Sequence, residues 1–227
     1  MKKRIVRRKK KGEVTERDFG VVCWVVVHGA VTSEQAAKWK YAGSLAMARR
    51  RLSVLVSHGL LRRERVAGIT VYIATNRGTA LTGLGLRSPS VSGLAHEARH
   101  AISVVTLLET LTETGGDFTS YTTERQIRTD AFRRRLAGEA SFGRVPDGIL
   151  HGPTGDWGLE LDRSPKSSVL LRSLLLAYLP RLGTGAEMEA ILWVTSTPAV
   201  AARYRSVVRE LRAEDAIRVV PLAEVAR

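Results

Sequence analysis

The front third of the chain carries short helical patterns separated by breaks. Thr15 with Asp18 and Thr32 with Gln35 have the spacing of capping boxes, so each pair predicts a helix start. Ser44 caps a third predicted helix, which ends near residue 59. Apolar residues at helical spacing predict one buried face per helix, which is Phe19, Val22, Cys23, Val26 and Val27 in the first helix and Leu45, Ala48, Leu52, Leu55 and Val56 in the third.

Two strand-like runs follow these helices. Leu60–Val66 and Ile69–Thr75 are joined by Ala67–Gly68, which suits a tight turn. Three short helices followed by a β-hairpin is the order of a winged helix-turn-helix, whose third helix enters the major groove. The pattern therefore predicts a winged-helix domain over residues 13–87.

Behind residue 88 the pattern alternates between helices and strands. A long predicted helix ends at Gly115–Gly116, and Ile191–Val194 is apolar throughout, as in a buried strand. Strands are predicted near residues 118–122, 145–150, 157–162, 191–195 and 217–220, helices near 167–179 and 199–211, and a helical or irregular stretch near 131–136. We predict a mixed sheet flanked by helices over residues 88–227, and an α/β (α+β overall) class for the whole chain.

Charge separates the two halves. Residues 1–87 carry 19 Lys and Arg against 5 Asp and Glu, whereas residues 88–227 carry 17 of each kind. Such an excess is typical of a surface that meets a polyanion, because bound Lys and Arg release counterions condensed on phosphates. Residues 1–12 hold eight Lys and Arg and no acidic residue, which predicts a disordered basic tail. This tail is either a solubilising segment or a DNA-binding arm.

We expect duplex DNA as the partner of the front domain. The residues predicted to contact DNA are Lys38, Lys40, Ser44, Arg49, Arg50, Arg51 and Ser53 on and before the third helix, and Arg62, Arg63 and Arg65 on the hairpin. The alternative is a solvated arginine-rich face. Single-stranded nucleic acid is less favoured, because the segment offers few exposed aromatic rings for stacking.

Cysteine content and hydropathy indicate the cellular compartment in which the protein acts. A single cysteine, Cys23, excludes an internal disulfide and a Cys-based zinc finger, and fits a reducing cytosol. The longest apolar run, Val21–Val27, is far shorter than the roughly 20 residues of a membrane helix. We expect a cytoplasmic, DNA-associated protein without a membrane partner.

Acidic residues lie on two neighbouring predicted strands. The segments are Arg144-Val-Pro-Asp147-Gly-Ile-Leu and Leu159-Glu160-Leu-Asp162-Arg163, accompanied by Tyr121-Thr-Thr-Glu124-Arg, Tyr178 and Leu192-Trp-Val-Thr195. Together they resemble the replication-relaxation family over about residues 13–225. That family comprises bacterial, often plasmid- or mobile-element-borne proteins with a winged helix in front of a nuclease-like fold.

The same segments are similar to the PD-(D/E)XK nuclease core. There, acidic residues on adjacent strands hold Mg²⁺ or Mn²⁺, and a lysine two positions later helps to position the attacking water. The resemblance implies that Asp147 and Glu160 are metal ligands and catalytic residues. At the position of the family's lysine, two residues after Glu160, this sequence has Asp162. Lys166 is the nearest lysine. We therefore expect a degenerate site and lean against enzymatic activity.

A structural role for these acidic residues stays open. Asp147 and Asp162 could instead cap turns and pair with Arg144 or Arg163. If the carboxylates do converge, their mutual repulsion should raise the pKa of at least one, unless a cation or an arginine neutralises them.

Residues 96–100 have the spacing of a known zinc-binding motif. His96-Glu97-Ala98-Arg99-His100 has the H-E-x-x-H spacing of a zinc peptidase helix. Arg99 charges a position that such helices keep apolar, and no convincing third ligand follows. We interpret the segment as ordinary polar helix positions.

The resemblance implies a sequence-specific, duplex DNA-binding accessory protein. It would act in replication, relaxation or conjugative transfer of a plasmid or mobile element, with a relaxase or other transfer proteins as partners; homodimerisation stays open. The alternatives are a metal-dependent DNA endonuclease using Asp147, Glu160 and Lys166, and a winged-helix transcriptional regulator.

Overall fold

The structure is a computed structural model that describes residues 12–113, 117–138 and 144–225, with the backbone alone for residues 94–96. Residues 1–11 of the predicted basic tail and the predicted helix end at Gly115–Gly116 lie outside the described residues. The chain divides into two compact units between Ala98 and Arg99. The domain boundary that the sequence pattern predicts at residues 87–88 stays a prediction.

Helices and strands follow the predicted order. The first unit contains α1 (Glu16–His28), α2 (Ser33–Lys40), α3 (Leu45–Ser57), β1 (Leu61–Val66), β2 (Ile69–Ala74) and α4 (Asn76–Thr82), and α5 (Val91–Glu113) continues into the second unit. The second unit contains β3 (Ser120–Thr123), α6 (Glu124–Leu136), β4 (Gly148–Gly152), β5 (Gly155–Asp162), α7 (Ser168–Tyr178), β6 (Ala190–Thr195), α8 (Pro198–Glu210), β7 (Ile217–Pro221) and α9 (Leu222–Val225).

In the first unit, local chemistry fixes the helix ends as predicted. Thr15 and Thr32 both form complete capping boxes, and Gly29 ends α1 with a φ of 84°. β1 and β2 pair antiparallel, and the connecting Ala67 and Gly68 both have positive φ, at 49° and 80°. Both residues thus adopt the left-handed backbone that a two-residue hairpin turn of this kind requires.

The predicted buried face of α1 is wrong in part. Phe19 is 40% exposed, and Cys23 and Val27 are half-buried. The residues buried along α1 are instead Asp18, Val21, Val22, Trp24, Val25, Val26 and His28. Asp18 pairs with Arg51 of α3, so the face that carries this ion pair turns inward. In α3 the predicted Ala48, Leu52 and Leu55 are buried, whereas Leu45 and Val56 are half-buried.

The second unit is built on a five-stranded mixed sheet in the order β3-β4-β5-β6-β7. β3, β4 and β5 pair antiparallel, and β5, β6 and β7 pair parallel. The predicted α/β class, with a mixed sheet and flanking helices, is confirmed.

Helices cover both faces of this sheet. Leu107 and Leu108 of α5 pack with Leu150, Leu159 and Leu161 on one face. On the other face, side chains of α7 and α8 pack with the next set of strand residues, in a core that includes Leu171, Leu175, Tyr178, Ile191, Trp193, Tyr204, Ile217 and Val219. Within the described ranges, no helix is both long enough and apolar enough to cross a bilayer.

Candidate functional site

The exposed surface of α3 is the first candidate site. Arg49, Arg50 and Ser53 are exposed, and they lie on the side of α3 opposite to the buried Ala48, Leu52 and Leu55. Arg49 lies 3.3 Å from Glu34 of α2 in a pair whose two side chains are both more than 60% exposed. Such an exposed pair contributes at most about 1 kcal/mol, so it competes only weakly with a phosphate.

Arg51 does not share this surface, although the sequence grouped it there. Its Nε donates to Asp18 Oδ1 at 2.9 Å, its Nη2 also donates to the Asp18 carboxylate, and the same Nη2 donates to the carbonyl of Glu13 at 2.8 Å. The Arg51 side chain is 16% exposed and that of Asp18 is 1% exposed. The structure therefore places Arg51 in the packing between α1 and α3, apart from the exposed side of α3 that carries Arg49 and Arg50.

The hairpin arginines also separate into two kinds. Arg62 is half-buried, and its Nη2 donates to the carbonyl of Pro89 at 2.6 Å. Arg63 and Arg65 are exposed and lie two residues apart on β1, so they point to the same side of the hairpin. Of the three predicted hairpin contacts, Arg63 and Arg65 keep a surface position and Arg62 is engaged by the protein.

The remaining predicted DNA contacts have local roles. Ser44 Oγ accepts a hydrogen bond from the backbone N–H of Met47 at 3.3 Å and so caps α3. Lys38 Nζ lies 4.6 Å from the ring centre of Trp39, and Lys40 Nζ lies 5.0 Å from that of Trp24. At these distances the ammonium groups are attracted by the faces of the aromatic rings.

A polar cluster in the second unit is the other candidate site. It lies where β5 ends, beside the start of β4, and its members are His100, Arg144, Asp147, Glu160, Asp162, Lys166, Tyr178 and Tyr204. Glu160 and Asp162 are two residues apart on β5, so their side chains point to the same face of the sheet. The backbone N–H of Asp147 donates to the carbonyl of Leu159 at 2.9 Å, which places Asp147 beside them.

Each carboxylate of the polar cluster accepts hydrogen bonds from the chain. Asp147 Oδ2 accepts from the backbone N–H of Leu161 at 2.8 Å, and its Oδ1 lies 3.1 Å from His100 Nε2. Arg144 donates to both oxygens of Glu160 at 3.2 Å. The hydroxyl of Tyr178 donates to Glu160 Oε1.

Asp162 is enclosed in the same way. Its Oδ2 accepts from the hydroxyl of Tyr204 at 2.8 Å and from the indole N–H of Trp193 at 3.1 Å, and Lys166 pairs with its Oδ1. The pairing of Asp147 and Asp162 with Arg144 or Arg163 is thus not what the structure contains. Arg144 pairs with Glu160 and Lys166 with Asp162, while Arg163 is exposed.

Burial and charge set the protonation of the cluster. Burial raises the pKa of Glu160, and the nearby charge of Asp147 raises it further, against the opposing effects of Arg144 and Tyr178. Burial lowers the pKa of Lys166, although the charges of Glu160 and Asp147 oppose this. The hydrogen bond to Asp147 raises the pKa of His100 despite its burial, which favours the imidazolium form.

The donor set does not fit a divalent cation. A bound Mg²⁺ or Mn²⁺ needs carboxylate oxygens that are free to coordinate it, but Asp147, Glu160 and Asp162 each accept from two or more protein donors. Three carboxylates face Arg144, Lys166 and a protonatable His100, so the cluster balances its own charge. Among the described residues, no group of three or more His, Cys, Asp or Glu side chains is placed to hold a metal ion.

Several members of the cluster were missed by sequence reasoning about the site. His100 belongs to the H-E-x-x-H segment, yet its described contact is with Asp147, and the side chain of His96 lies outside the described residues. Tyr178 and Tyr204 are fully buried, and both carry hydroxyls that donate to carboxylates. The sequence could have indicated both residues, because each is a tyrosine on the apolar face of a helix. A buried tyrosine hydroxyl needs a hydrogen-bond partner.

In comparisons with known proteins, the chain matches no family model, no curated protein and no solved structure. The resemblance to the replication-relaxation family therefore stays a prediction.

Proposed function

We propose that this protein binds a specific site on duplex DNA through its first unit, with a winged helix as the binding module. α3 would be the recognition helix and the β1–β2 hairpin the wing. The observation that carries the proposal is the exposed row of Arg49, Arg50 and Ser53 on α3, opposite a buried apolar face. Arg49 and Arg50 have the side chain that most often recognises guanine edges in the major groove.

The charge of the first unit supports this proposal. Residues 12–87 carry 11 Lys and Arg against 5 Asp and Glu. Arg51 pairs with the buried Asp18, and Arg62 is held by Pro89, so these two stabilise the unit. Arg63 and Arg65 are exposed on the proposed wing, where a phosphate backbone would pass.

The experiment selects a binding site from a pool of random duplexes and then measures affinity by fluorescence anisotropy. Arg49→Ala with Arg50→Ala should weaken binding to the selected site by about 1–3 kcal/mol for each lost base contact, roughly tenfold to a hundredfold. The matched control is Arg17→Ala with Arg77→Ala, which removes the same charge from exposed positions on α1 and α4. Equal losses in both double variants would contradict recognition by α3.

The second unit supports an accessory role better than cleavage. Its carboxylates are occupied by the chain's own donors, so a metal-dependent endonuclease has no free ligand set in this arrangement. Incubating supercoiled and linear DNA with the protein, with and without Mg²⁺ or Mn²⁺, separates the two functions. Retardation without cleavage is expected, and metal-dependent cleavage that disappears in Asp147→Asn would make the endonuclease correct. We place the protein, by its resemblance, in plasmid or mobile-element replication, relaxation or transfer.

A further inference from the structure

Helix α6 buries few residues for its length. Among the described residues of α6, Ile127 alone is buried, whereas α8, also 13 residues long, buries four. Phe132 is 57% exposed and Leu136 is 73% exposed. Most helices in proteins are stabilised by packing one apolar face against the rest of the protein. The apolar residues near the end of α6 do not pack in this way, so packing does not explain why they are there.

The same helix concentrates positive charge. Its 13 residues include five arginines against Glu124 and Asp130. The α6 arginine patch is defined here as the exposed Arg128, Arg133, Arg134 and Arg135. The equal numbers of basic and acidic residues in residues 88–227 conceal this local excess, because the compensating acids lie elsewhere in the unit.

Two arginines of the patch form exposed ion pairs within the helix. Arg128 lies against Glu124, and Arg133 lies 3.0 Å from Asp130 with both side chains more than half exposed. Exposed pairs of this kind are weak, and a phosphodiester with several neighbouring charges replaces them readily.

The arrangement of residues distinguishes between two polyanionic partners. A helix that lies on an anionic membrane segregates its apolar residues from its basic ones. In α6, the exposed Phe132 and Leu136 lie among arginines that point in several directions around the helix. This mixture suits a row of phosphates passing the end of the helix better than a membrane surface.

We propose that the α6 arginine patch is a second DNA contact, which grips phosphates without reading sequence. The inference rests on the proposed function in that its partner is the DNA held by the first unit. Sequence choice then belongs to α3, and the second unit contributes salt-dependent affinity. Because Arg133, Arg134 and Arg135 lie in the last turn of α6, the phosphates would lie along the C-terminal end of this helix.

The test measures the slope of log affinity against log salt concentration for the full chain on a duplex of arbitrary sequence. Arg133→Gln, Arg134→Gln and Arg135→Gln combined should make the slope shallower by about 2–3, since each phosphate contact contributes about 0.9. The matched control, Arg163→Gln with Arg209→Gln and Arg218→Gln, removes three exposed arginines elsewhere in the unit and should leave the slope unchanged.

A gain-of-charge variant keeps the test decisive if the triple variant folds poorly. Asp130→Asn removes an exposed acid from α6 and should strengthen binding to the arbitrary duplex. Unchanged binding in both variants would overturn the inference while leaving recognition by α3 intact. An effect of the α6 variants without any effect of Arg49→Ala and Arg50→Ala would uphold the inference and refute the proposed function. Loss of binding to phosphatidylserine vesicles in the triple variant, with the DNA slope unchanged, would assign the patch to a membrane instead.

Discussion

Replacing Arg51 should separate stability from DNA binding more sharply than any other single change in the first unit. Arg51→Ala removes two guanidinium hydrogen bonds from Asp18, whose side chain is 1% exposed. The carboxylate keeps its hydrogen bonds from the backbone N–H and hydroxyl of Thr15, at 2.8 and 2.7 Å. The variant therefore loses one side of a buried ion pair without leaving the other wholly unsatisfied.

The magnitude follows from this geometry. Removing one partner of a buried ion pair costs about 3–5 kcal/mol. Because Thr15 still donates to Asp18 and the Arg51 side chain is 16% exposed, the cost should lie near the lower end, at about 3 kcal/mol. Arg50→Ala, one residue away but exposed, should change stability by less than about 0.5 kcal/mol.

The loss of stability should also depend on pH. Burial raises the pKa of Asp18, but the hydrogen bonds from Arg51 and Thr15 outweigh it and hold the pKa below its ordinary value. A depressed carboxyl pKa contributes stability that is present above the unfolded pKa of about 4 and is lost as the pH falls through the folded value. The gap between wild type and Arg51→Ala should therefore be full at pH 7 and narrow below about pH 4.

Urea unfolding followed by circular dichroism measures both effects, and a double-mutant cycle with Asp18→Asn isolates the pair. At a temperature where both variants are folded, Arg50→Ala should weaken binding to the selected duplex and Arg51→Ala should not. If Arg51→Ala unfolds like wild type but loses DNA affinity, Arg51 faces DNA and the structural assignment is refuted.

Other predictions concern the second unit and one glycine. The raised pKa of His100 means that its imidazolium form stabilises the wild-type protein below about pH 6.5, and this stability is lost as the pH rises through the raised pKa. His100→Gln should remove this contribution, so its urea midpoint should differ from that of wild type more at pH 6 than at pH 8. Tyr178→Phe removes a donor to a buried carboxylate and should lower the free energy of unfolding by about 1–3 kcal/mol. Gly78→Ala should lower it by a similar amount, about 1–3 kcal/mol, because its Cβ would lie 2.1 Å from a backbone oxygen, whereas Gly20→Ala meets nothing within 4 Å and should be tolerated. Millimolar Mg²⁺ should leave the melting temperature unchanged, and a rise that disappears in Asp147→Asn would contradict the poor fit of the cluster to a metal.

Local rules made the first unit largely predictable. The capping boxes of Thr15 and Thr32 join residues three positions apart, and the turn at Ala67–Gly68 is made by adjacent residues. The sequence therefore shows both features directly. The exposed side of α3 was likewise predictable from helical periodicity. Arg51 was not, because its partner Asp18 lies 33 residues earlier in the chain, and no local pattern indicates that the two meet.

The second unit shows a different limit. Strand alternation put Glu160 and Asp162 on one face, and the resemblance brought Asp147 beside them, as the structure has it. Which cation neutralises each carboxylate depends on the paths of α7 and of the loops, which periodicity does not describe. Lys166 therefore reaches back to Asp162, and Arg144 pairs with Glu160, both by contacts that the sequence left open.

These contacts bear on how the second unit could take part in DNA binding. Ligands of α/β sheets commonly bind outside the carboxyl ends of parallel strands, and here that end of β5 is filled by the chain's own Lys166, Tyr178 and Tyr204. A phosphate entering there would meet three carboxylates and would have to displace the side chains that neutralise them. On α6, by contrast, the ion pairs of Arg128 and Arg133 are exposed and therefore weak. If the second unit touches DNA, its phosphates should therefore lie along α6 rather than in the polar cluster, so Glu160→Gln should alter stability while leaving the salt slope of binding as it is in wild type.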